Sequence, residues 1–200
     1  MRVLVVGATG TIGRAVVAAL QAKHEVVAAA RQSAAVRVDI TDRASIQAMY
    51  RSVGRLDGVV CAAGDAKFAP LAQLSDADFQ FCLGNKLMGQ VNLVRLGFDA
   101  LSDRGSFTLT SGVLARSPMP GSAAISLVNS ALEGFVRAAA LEAPRGIRVN
   151  VVSPPWITDT LKALGMDPAL GLTPAQVAEL YVQSVTGSHN GAVLEAGARP

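Results

Sequence analysis

The chain has 200 residues, half of them hydrophobic and 16% charged, with a formal net charge of +3. A chain below about 250 residues fits one apolar core, so we expect a single domain over residues 1–200. The hydrophobic fraction excludes a disordered chain, and the scattered arginines argue against a nucleic-acid partner.

The first segment and the two cysteines bear on the cellular compartment. The start MRVLVVGATG is typical of a strand followed by a glycine turn and lacks the pattern of a signal peptide. No later apolar run approaches the roughly 20 residues that a membrane span needs, so we expect no membrane association. Cys61 and Cys82 lie in apolar stretches without metal-ligand spacing. We therefore expect buried free thiols, no metal site and a reducing cytoplasm.

Short apolar segments alternate with segments of helical spacing along the chain. The predicted strands are RVLVV, EVVAAA, VRV, GVVCAA, SFTLT, IRVNVV and GAVLE. Nearly continuous apolar strands are typical of a parallel sheet covered on both faces, which predicts an α/β fold with a Rossmann-like doubly wound parallel sheet. Only Arg31 to Ala35 separate the second and third strands. That length is too short for a helical crossover and predicts a stub of a third strand.

The first strand leads into GATGTIG, Gly7 to Gly13, directly before a predicted helix. Glycines at such a turn let the backbone approach a pyrophosphate, and the helix start supplies unpaired N–H groups. We therefore predict a dinucleotide site here, with a merely tight turn as the alternative. The predicted cofactor-binding residues of this turn are Gly7, Thr9, Gly10, Thr11, Ile12 and Gly13.

The second strand ends in AAARQS, where an NAD-binding protein usually has an acidic residue for the ribose 2′-hydroxyl. Arg31 stands there instead, and a guanidinium group can pair with a 2′-phosphate. We therefore predict NADP as the cofactor, with an ordinary solvent-exposed arginine as the alternative. Asp42, farther along, is expected to cap the next helix.

Several segments resemble short-chain dehydrogenases/reductases, from Arg2 to about Val193. ALEGFVRAAALE resembles the long helix of that family, CAAG the end of its fourth strand, and FTLTSG the strand that carries its catalytic serine. VDITD and IRVNVVSPPWITDT resemble the segments beside the adenine and the nicotinamide. The resemblance implies a catalytic role for Ser111. It also implies cofactor contacts by Asp39, Ile40, Ala62, Ala63, Gly64, Pro154, Ile157 and Thr158.

The resemblance breaks at the family's Tyr-x-x-x-Lys pair, whose positions are occupied by Ile125 and Asn129. Asn129 can hydrogen-bond a ribose hydroxyl but carries no charge with which to shift a pKa. The tyrosines of the chain, Tyr50 and Tyr181, are placed on helices far from this edge of the sheet. Lys86 stands where the family has a further catalytic asparagine. Its side chain either points inward, toward ribose and substrate, or extends to solvent.

These residues predict an NADP-dependent oxidoreductase for a small carbonyl or alcohol substrate, with Ser111 and Lys86 as catalytic residues. A non-catalytic NADP(H)-binding sensor or regulatory protein is the alternative, because the tyrosine and the lysine of the family pair are missing. The GxxGxxG spacing also admits a sugar-nucleotide modifying enzyme as a weaker third possibility.

A homodimer or homotetramer is predicted from two helices, at about 84 to 101 and 122 to 142, that are apolar on more than one face. The residues expected to extend that apolar surface are Leu87, Val91, Val94, Phe98, Leu127, Leu132, Phe135 and Val136. The resemblance implies the same, because members of the family commonly pair through these helices.

Overall fold

A seven-stranded sheet forms the centre of the structure, a computed structural model that describes residues 1–196. The strands are β1 (Arg2–Val6), β2 (Glu25–Ala30), β3 (Val36–Arg37), β4 (Leu56–Cys61), β5 (Leu101–Thr110), β6 (Arg148–Ser153) and β7 (Val193–Glu195). All are parallel, in the order β3-β2-β1-β4-β5-β6-β7. The expected α/β fold with a doubly wound parallel sheet is confirmed.

Helices cover both faces of this sheet. They are α1 (Thr11–Gln21), α2 (Arg43–Val53), α3 (Asp76–Cys82), α4 (Met88–Gly97), α5 (Ala123–Glu142), α6 (Thr158–Ala163) and α7 (Pro174–Thr186). In β1, Val3 and Val5 pack with α1 and α7, whereas Leu4 and Val6 pack with α2, α4 and α5. Both sides of a strand are therefore buried, which explains why the strands are apolar at nearly every position.

The connection from β2 to β3 contains no helix, as its length predicts. Residues 31–35 form bends, and Ser33 has a positive φ of 59°. β3 is only two residues long and pairs with Ala29 and Ala30. Because no helix lies between β2 and the short β3, the carboxyl end of β2 has no covering helix.

The order of the strands reverses at β1, which pairs with β2 on one side and β4 on the other. The loops that follow β1 and β4 therefore leave the sheet side by side and open a crevice between them. The N–H of Gly7 donates to the carbonyl of Ala29 at 2.8 Å, and the N–H of Ala62 donates to that of Val6 at 2.8 Å. Both loops thus begin at positions set by the sheet.

The predicted helix at about 84 to 101 is divided into three segments. A π-helical turn (Leu83–Leu87) precedes α4, a 3₁₀ turn (Phe98–Ala100) follows it, and β5 already begins at Leu101. Some residues expected on its outer surface, and on that of α5, are instead buried in the core: Val91, Val94, Leu132 and Val136. They are needed to cover the sheet, so the expected apolar outer surface is narrower than predicted.

α5 is the one helix within residues 1–196 that is long and apolar enough, by length and composition, to cross a membrane. The expectation that no apolar run approaches this length is therefore wrong. The mean hydropathy of α5 is high because both its buried side and its exposed side carry small or apolar residues. Val128 and Val136 pack into the core, whereas Gly134 and Ala138 lie exposed on the opposite side.

Gln90 joins α4 to the end of β5. Its side chain is fully buried. Its Nε2 donates to the carbonyl of Thr110 at 2.9 Å, and its Oε1 accepts from the N–H of Thr110 at 2.8 Å. One side chain therefore satisfies both main-chain groups of the residue that precedes Ser111.

We expect Gln90→Leu to lower the free energy of unfolding by about 2 kcal/mol or more, because both main-chain groups of Thr110 lose their partner in the core. Urea denaturation measures the difference. Gln47→Leu, at an exposed position of α2, serves as the control and should change the free energy by less than about 0.5 kcal/mol. Equal stability of the Gln90→Leu variant and the native protein would contradict the prediction.

Candidate functional site

Two connected clefts lie at the carboxyl edge of the sheet. The outer cleft has a volume of about 560 Å³ and follows the ends of β1, β2 and β4. The inner cleft has a volume of about 260 Å³ and follows the ends of β4, β5 and β6. Both are lined by Ala62, Ala63 and Gly64, so these three residues form the floor on which the clefts meet.

The glycine turn forms one wall of both clefts. Gly7, Thr9 and Gly10 line the outer cleft, and Ile12 lines the inner one. Gly7 has a φ of +85°, and a Cβ on it would lie 2.8 Å from the carbonyl carbon and oxygen of Ala62. Only glycine fits such a position without strain. The loops after β1 and β4 are therefore in direct backbone contact.

Two other residues of the turn do not line a cleft. A Cβ on Gly13 would collide with the carbonyl of Gly7, so Gly13 supports the turn by allowing α1 to approach it closely. Thr11 is exposed at the first position of α1. The sequence pattern predicts that the whole turn lies at the cleft. It does not distinguish the residues that line the cleft from those, such as Gly13, that support the turn.

Two arginines line the outer cleft, Arg31 after β2 and Arg14 on α1. Neither forms an ion pair with another residue of the described part of the chain. Gln32 and Ser33 line the same end of the cleft. Arg14 was not predicted from the sequence, although its place directly after the glycine turn could have indicated it.

Asp39 and Ile40 also line the outer cleft, as the resemblance implies. The Asp39 carboxylate accepts hydrogen bonds from the hydroxyl of Thr41 at 2.7 Å and from its N–H at 2.9 Å, which lower the pKa of Asp39. Ile40 is nearly buried and packs so closely on Gly89 that a Cβ there would lie 2.8 Å from it. Asp42 caps α2 as predicted, because its side chain accepts from the N–H of Ala44.

Lys86 lies in the π-helical turn before α4, and its side chain points into the inner cleft. Of the two orientations left open, the inward one is therefore found. Its Nζ donates to the carbonyl of Ser111 at 3.0 Å. Removal from water lowers the pKa of Lys86 to about 8. A π-helical turn inside a helix often marks a functional site, and the apolar spacing of this segment did not predict one.

Asn129 reaches the inner cleft from α5. It is only 2% exposed, and its Nδ2 approaches the carbonyl of Gly112 at 3.5 Å. Its Oδ1 has no hydrogen-bond partner. A buried amide oxygen without a donor is costly, so this atom is suited to accept a hydrogen bond from a ligand. Ile125, one turn earlier, does not line the inner cleft.

Ser111 lines the inner cleft and is nearly buried. Its hydroxyl donates to Oε1 of Glu133 at 3.3 Å and lies 3.4 Å from the carbonyl of Val152. Glu133 is itself 4% exposed and pairs with Arg116 at 3.3 Å. Arg116 also pairs with Glu195 of β7 at 3.1 Å. A hydrogen-bonded chain thus runs from the serine at the end of β5 to the last strand.

Glu133 and Arg116 were not predicted from the sequence. Glu133 follows Asn129 by four residues, so helical spacing places it on the same side of α5. That spacing was the available signal. The burial of its carboxylate depends on the loop that carries Arg116, which the spacing does not reveal.

The segment after β6 closes the inner cleft. Pro154 and Ile157 line it as implied, together with Pro155, Trp156 and Thr160. Thr158 does not line either cleft. It begins α6, and its N–H donates to the carbonyl of Leu172 at 2.9 Å, which holds this segment in place.

Neither tyrosine lines the inner cleft. Tyr50 lies on α2 and donates to the carbonyl of Leu93 at 2.7 Å. Tyr181, on α7, lies closer to the site than expected, because its hydroxyl is 2.7 Å from that of Thr110. It is fully buried beneath the sheet edge, and burial raises its pKa. Tyr181 is therefore part of the core beneath the site.

Cys61 and Cys82 are both buried and free, as predicted. Burial raises the pKa of the Cys61 thiol to about 12, which makes it a poor nucleophile. Within residues 1–196, no group of three or more His, Cys, Asp or Glu side chains is placed to hold a metal ion.

Comparison with known proteins identifies relatives of this fold. The protein lin1944 of Listeria innocua superposes with a TM-score of 0.95 and 41% identity, over 98% of this chain and 99% of that one. A small-chain dehydrogenase in complex with NADPH superposes with a TM-score of 0.87 over 98% of this chain and 96% of that one, at 24% identity. The latter likeness concerns the fold alone.

Sequence comparison identifies further relatives. Hydroxynaphthalene reductase arp2 of Aspergillus fumigatus is 30% identical over 147 residues, which cover 71% of this chain and 54% of that protein. The chain spans about half to two thirds of the length of the curated relatives it matches. A family model described as "Enoyl-(Acyl carrier protein) reductase" matches residues 7–183. The chain therefore belongs to the short-chain dehydrogenase/reductase family of oxidoreductases.

Proposed function

We propose that residues 1–200 form one NADP-dependent oxidoreductase domain that acts on a small carbonyl or alcohol substrate. The observation that carries this proposal is the composition of the inner cleft. It combines the ammonium of Lys86, the hydroxyl of Ser111 and the unpartnered amide oxygen of Asn129 directly beside a nucleotide-sized outer cleft. The reductase related to this chain supports it.

The residues present fit a dinucleotide. Gly10 and Thr11 are exposed at the start of α1, and Gly10 lines the outer cleft, so this helix start is open to a pyrophosphate, whose charge the helix N-terminus favours. Arg31 and Arg14 are suited to the 2′-phosphate of NADP, because a guanidinium group pairs with phosphate through two parallel hydrogen bonds. The unpartnered Oδ1 of Asn129 is suited to a ribose hydroxyl.

When bound, NADP(H) supplies or accepts a hydride at its nicotinamide ring. The protein has to place the substrate and manage one proton. With a pKa of about 8, Lys86 holds a proton at neutral pH and can release it to a developing alkoxide, directly or through water. Ser111 has a single hydroxyl proton, so to donate to the same oxygen it has to turn that proton from Oε1 of Glu133, 3.3 Å away, toward the substrate. Glu133 and Arg116 orient the serine, because its hydroxyl is bonded to the Glu133 carboxylate.

A second candidate function follows from Ile125 and Asn129, which occupy the positions of the family's proton-transfer pair. A protein that binds NADP(H) as a sensor or regulator needs no such pair. The two functions share the outer cleft and differ in whether the inner cleft turns over a substrate.

We also infer a homodimer or homotetramer in a reducing cytoplasm. The two buried thiols suit that compartment. The exposed side of α5 carries Leu127, Gly134, Ala138 and Leu141, of which Leu141 is 89% exposed. Small and apolar side chains along a helix allow a second helix to approach closely, so this side of α5 is the proposed contact between subunits.

We expect NADPH to bind about tenfold or more tightly than NADH, because one charge-assisted phosphate pair is worth about 1.5 to 3 kcal/mol. Arg31→Ala and Arg14→Ala should each reduce that preference, with little effect on NADH. Calorimetric titration measures both affinities. Arg51→Ala, outside both clefts, is the control. Equal affinities of the native protein for the two cofactors would refute the choice of NADP.

We expect Ser111→Ala and Lys86→Met each to lower turnover of NADPH with small aldehydes, ketones and quinones by about a hundredfold, since each removes a donor to the developing alkoxide. Native turnover should also fall as the pH rises through about 8, where Lys86 loses its proton. The Lys86→Met variant should lack that decline.

Absorbance of NADPH at saturating cofactor measures this turnover. If Lys86 serves only to bind cofactor, Lys86→Met weakens NADPH binding and leaves turnover intact. Native turnover that survives both single changes would contradict the assignment. Turnover only in the double variant Ile125→Tyr/Asn129→Lys would identify the native chain as the NADP(H)-binding sensor.

We expect Gly134→Arg to convert the oligomer to single chains. A Cβ at Gly134 meets no atom within 4 Å, so the substitution leaves the subunit intact while placing a charge in the proposed contact. Light scattering at micromolar concentration measures the mass. Gln47→Arg, exposed on α2, should leave the oligomer unchanged. A native protein found only as single chains would exclude the contact.

A further inference from the structure

One wall of the inner cleft is apolar and contains Trp156. This wall is formed by Val113, Leu114, Pro155, Trp156 and Ile157. Trp156 is the only tryptophan in a chain that is 4% aromatic, and it is half-buried at the cleft. Two loops supply the wall, one after β5 and one after β6, so it belongs to the same carboxyl edge of the sheet as Ser111.

The backbone on both sides of Trp156 is held in place. The carbonyl of Trp156 accepts from the N–H of Leu172 at 2.9 Å, and Ile157 forms a parallel bridge with the same residue. Pro154 and Pro155 precede it and restrict the chain further. The indole is therefore carried by an ordered segment, which favours its use as a fixed contact surface.

Further apolar side chains lie in the segments that follow the strands at this edge of the sheet. The loops after β4, β5 and β6 carry large exposed hydrophobic residues, namely Phe68, Leu71, Met119, Leu164 and Leu170. Phe68 is fixed against the loop after β5, because the N–H of Ala69 donates to the carbonyl of Gly121 at 3.0 Å. Exposed apolar groups in the segments after these three strands favour an apolar ligand at this edge of the sheet.

The inner cleft carries little charge. Among residues 1–196, Lys86 is the only ionisable residue that lines it. Ser111 and Asn129 complete a small polar group beside Lys86, whereas the wall with Trp156 offers no charged side chain. The inner cleft therefore combines this polar group with an apolar wall, and this combination suits a ligand with one polar oxygen on an apolar ring system.

We propose that the inner cleft binds an uncharged, planar aromatic carbonyl compound, with its ring against Trp156 and its oxygen toward Lys86. This inference rests on the proposed oxidoreductase function and names its substrate class. An aromatic ring gains more from an indole than a saturated ring of the same size, because the two π-systems attract each other in stacked or edge-to-face arrangements. Trp156 is then the residue that sets the preference for aromatic substrates.

The matched ligands 1-tetralone and 1-decalone test this, since they share a fused two-ring ketone skeleton and differ in one aromatic ring. We expect tetralone to bind the native protein more tightly and to change the fluorescence of its single tryptophan. Calorimetry with Trp156→Leu should show the tetralone preference reduced about two- to tenfold. Trp156→Phe, which keeps an aromatic ring, should retain most of it.

Equal affinity of the native protein for the two ketones would overturn the proposal, and so would a preference that survives in Trp156→Leu. Tighter binding of a carboxylated tetralone than of tetralone itself would overturn its uncharged character. NADPH titration of the same samples distinguishes a failure of the aromatic site from a failure of the proposed oxidoreductase function. Tetralone preference without NADPH binding would refute the proposed function and support the aromatic site, and the reverse result would refute the aromatic site alone.

Discussion

The contact between Gly7 and the backbone of Ala62 is the constraint on which both clefts depend. Parallel pairing places the ends of β1 and β4 side by side, and the two loops then touch at a distance that leaves no room for a Cβ. Because the contact is made by main-chain atoms, it does not vary with side-chain rotamers. It sets the shared floor of the outer and inner clefts and the direction in which α1 leaves the sheet.

The inner cleft holds one cation and one amide, which come from two different helical elements. Lys86 comes from the π-helical turn before α4, and Asn129 comes from α5. Both reach the same strand end, because Lys86 bonds the carbonyl of Ser111 and Asn129 approaches that of Gly112. The positive charge of the cleft thus comes from the π-helical turn, and burial lowers the pKa of Lys86 that carries it.

Ser111 is connected through side chains to the last strand of the sheet. The carboxylate of Glu133 orients its hydroxyl, Arg116 compensates the charge of that carboxylate, and Glu195 shares the arginine. Leaving Glu133 buried without Arg116 would be costly. The orientation of the serine therefore depends on packing between α5, the loop after β5 and the last strand.

The sequence by itself determined the strands, the parallel sheet, the short β3 and the glycine turn, because each depends on local spacing and on apolar runs. It also brought Ser111, Lys86 and Asn129 to one edge through the family resemblance. Only the tertiary structure decided which way Lys86 points, that Val91 and Val136 belong to the core, and that Glu133 meets Ser111. Those outcomes depend on which elements pack against each other. Local sequence patterns do not specify contacts between residues that are far apart in the chain.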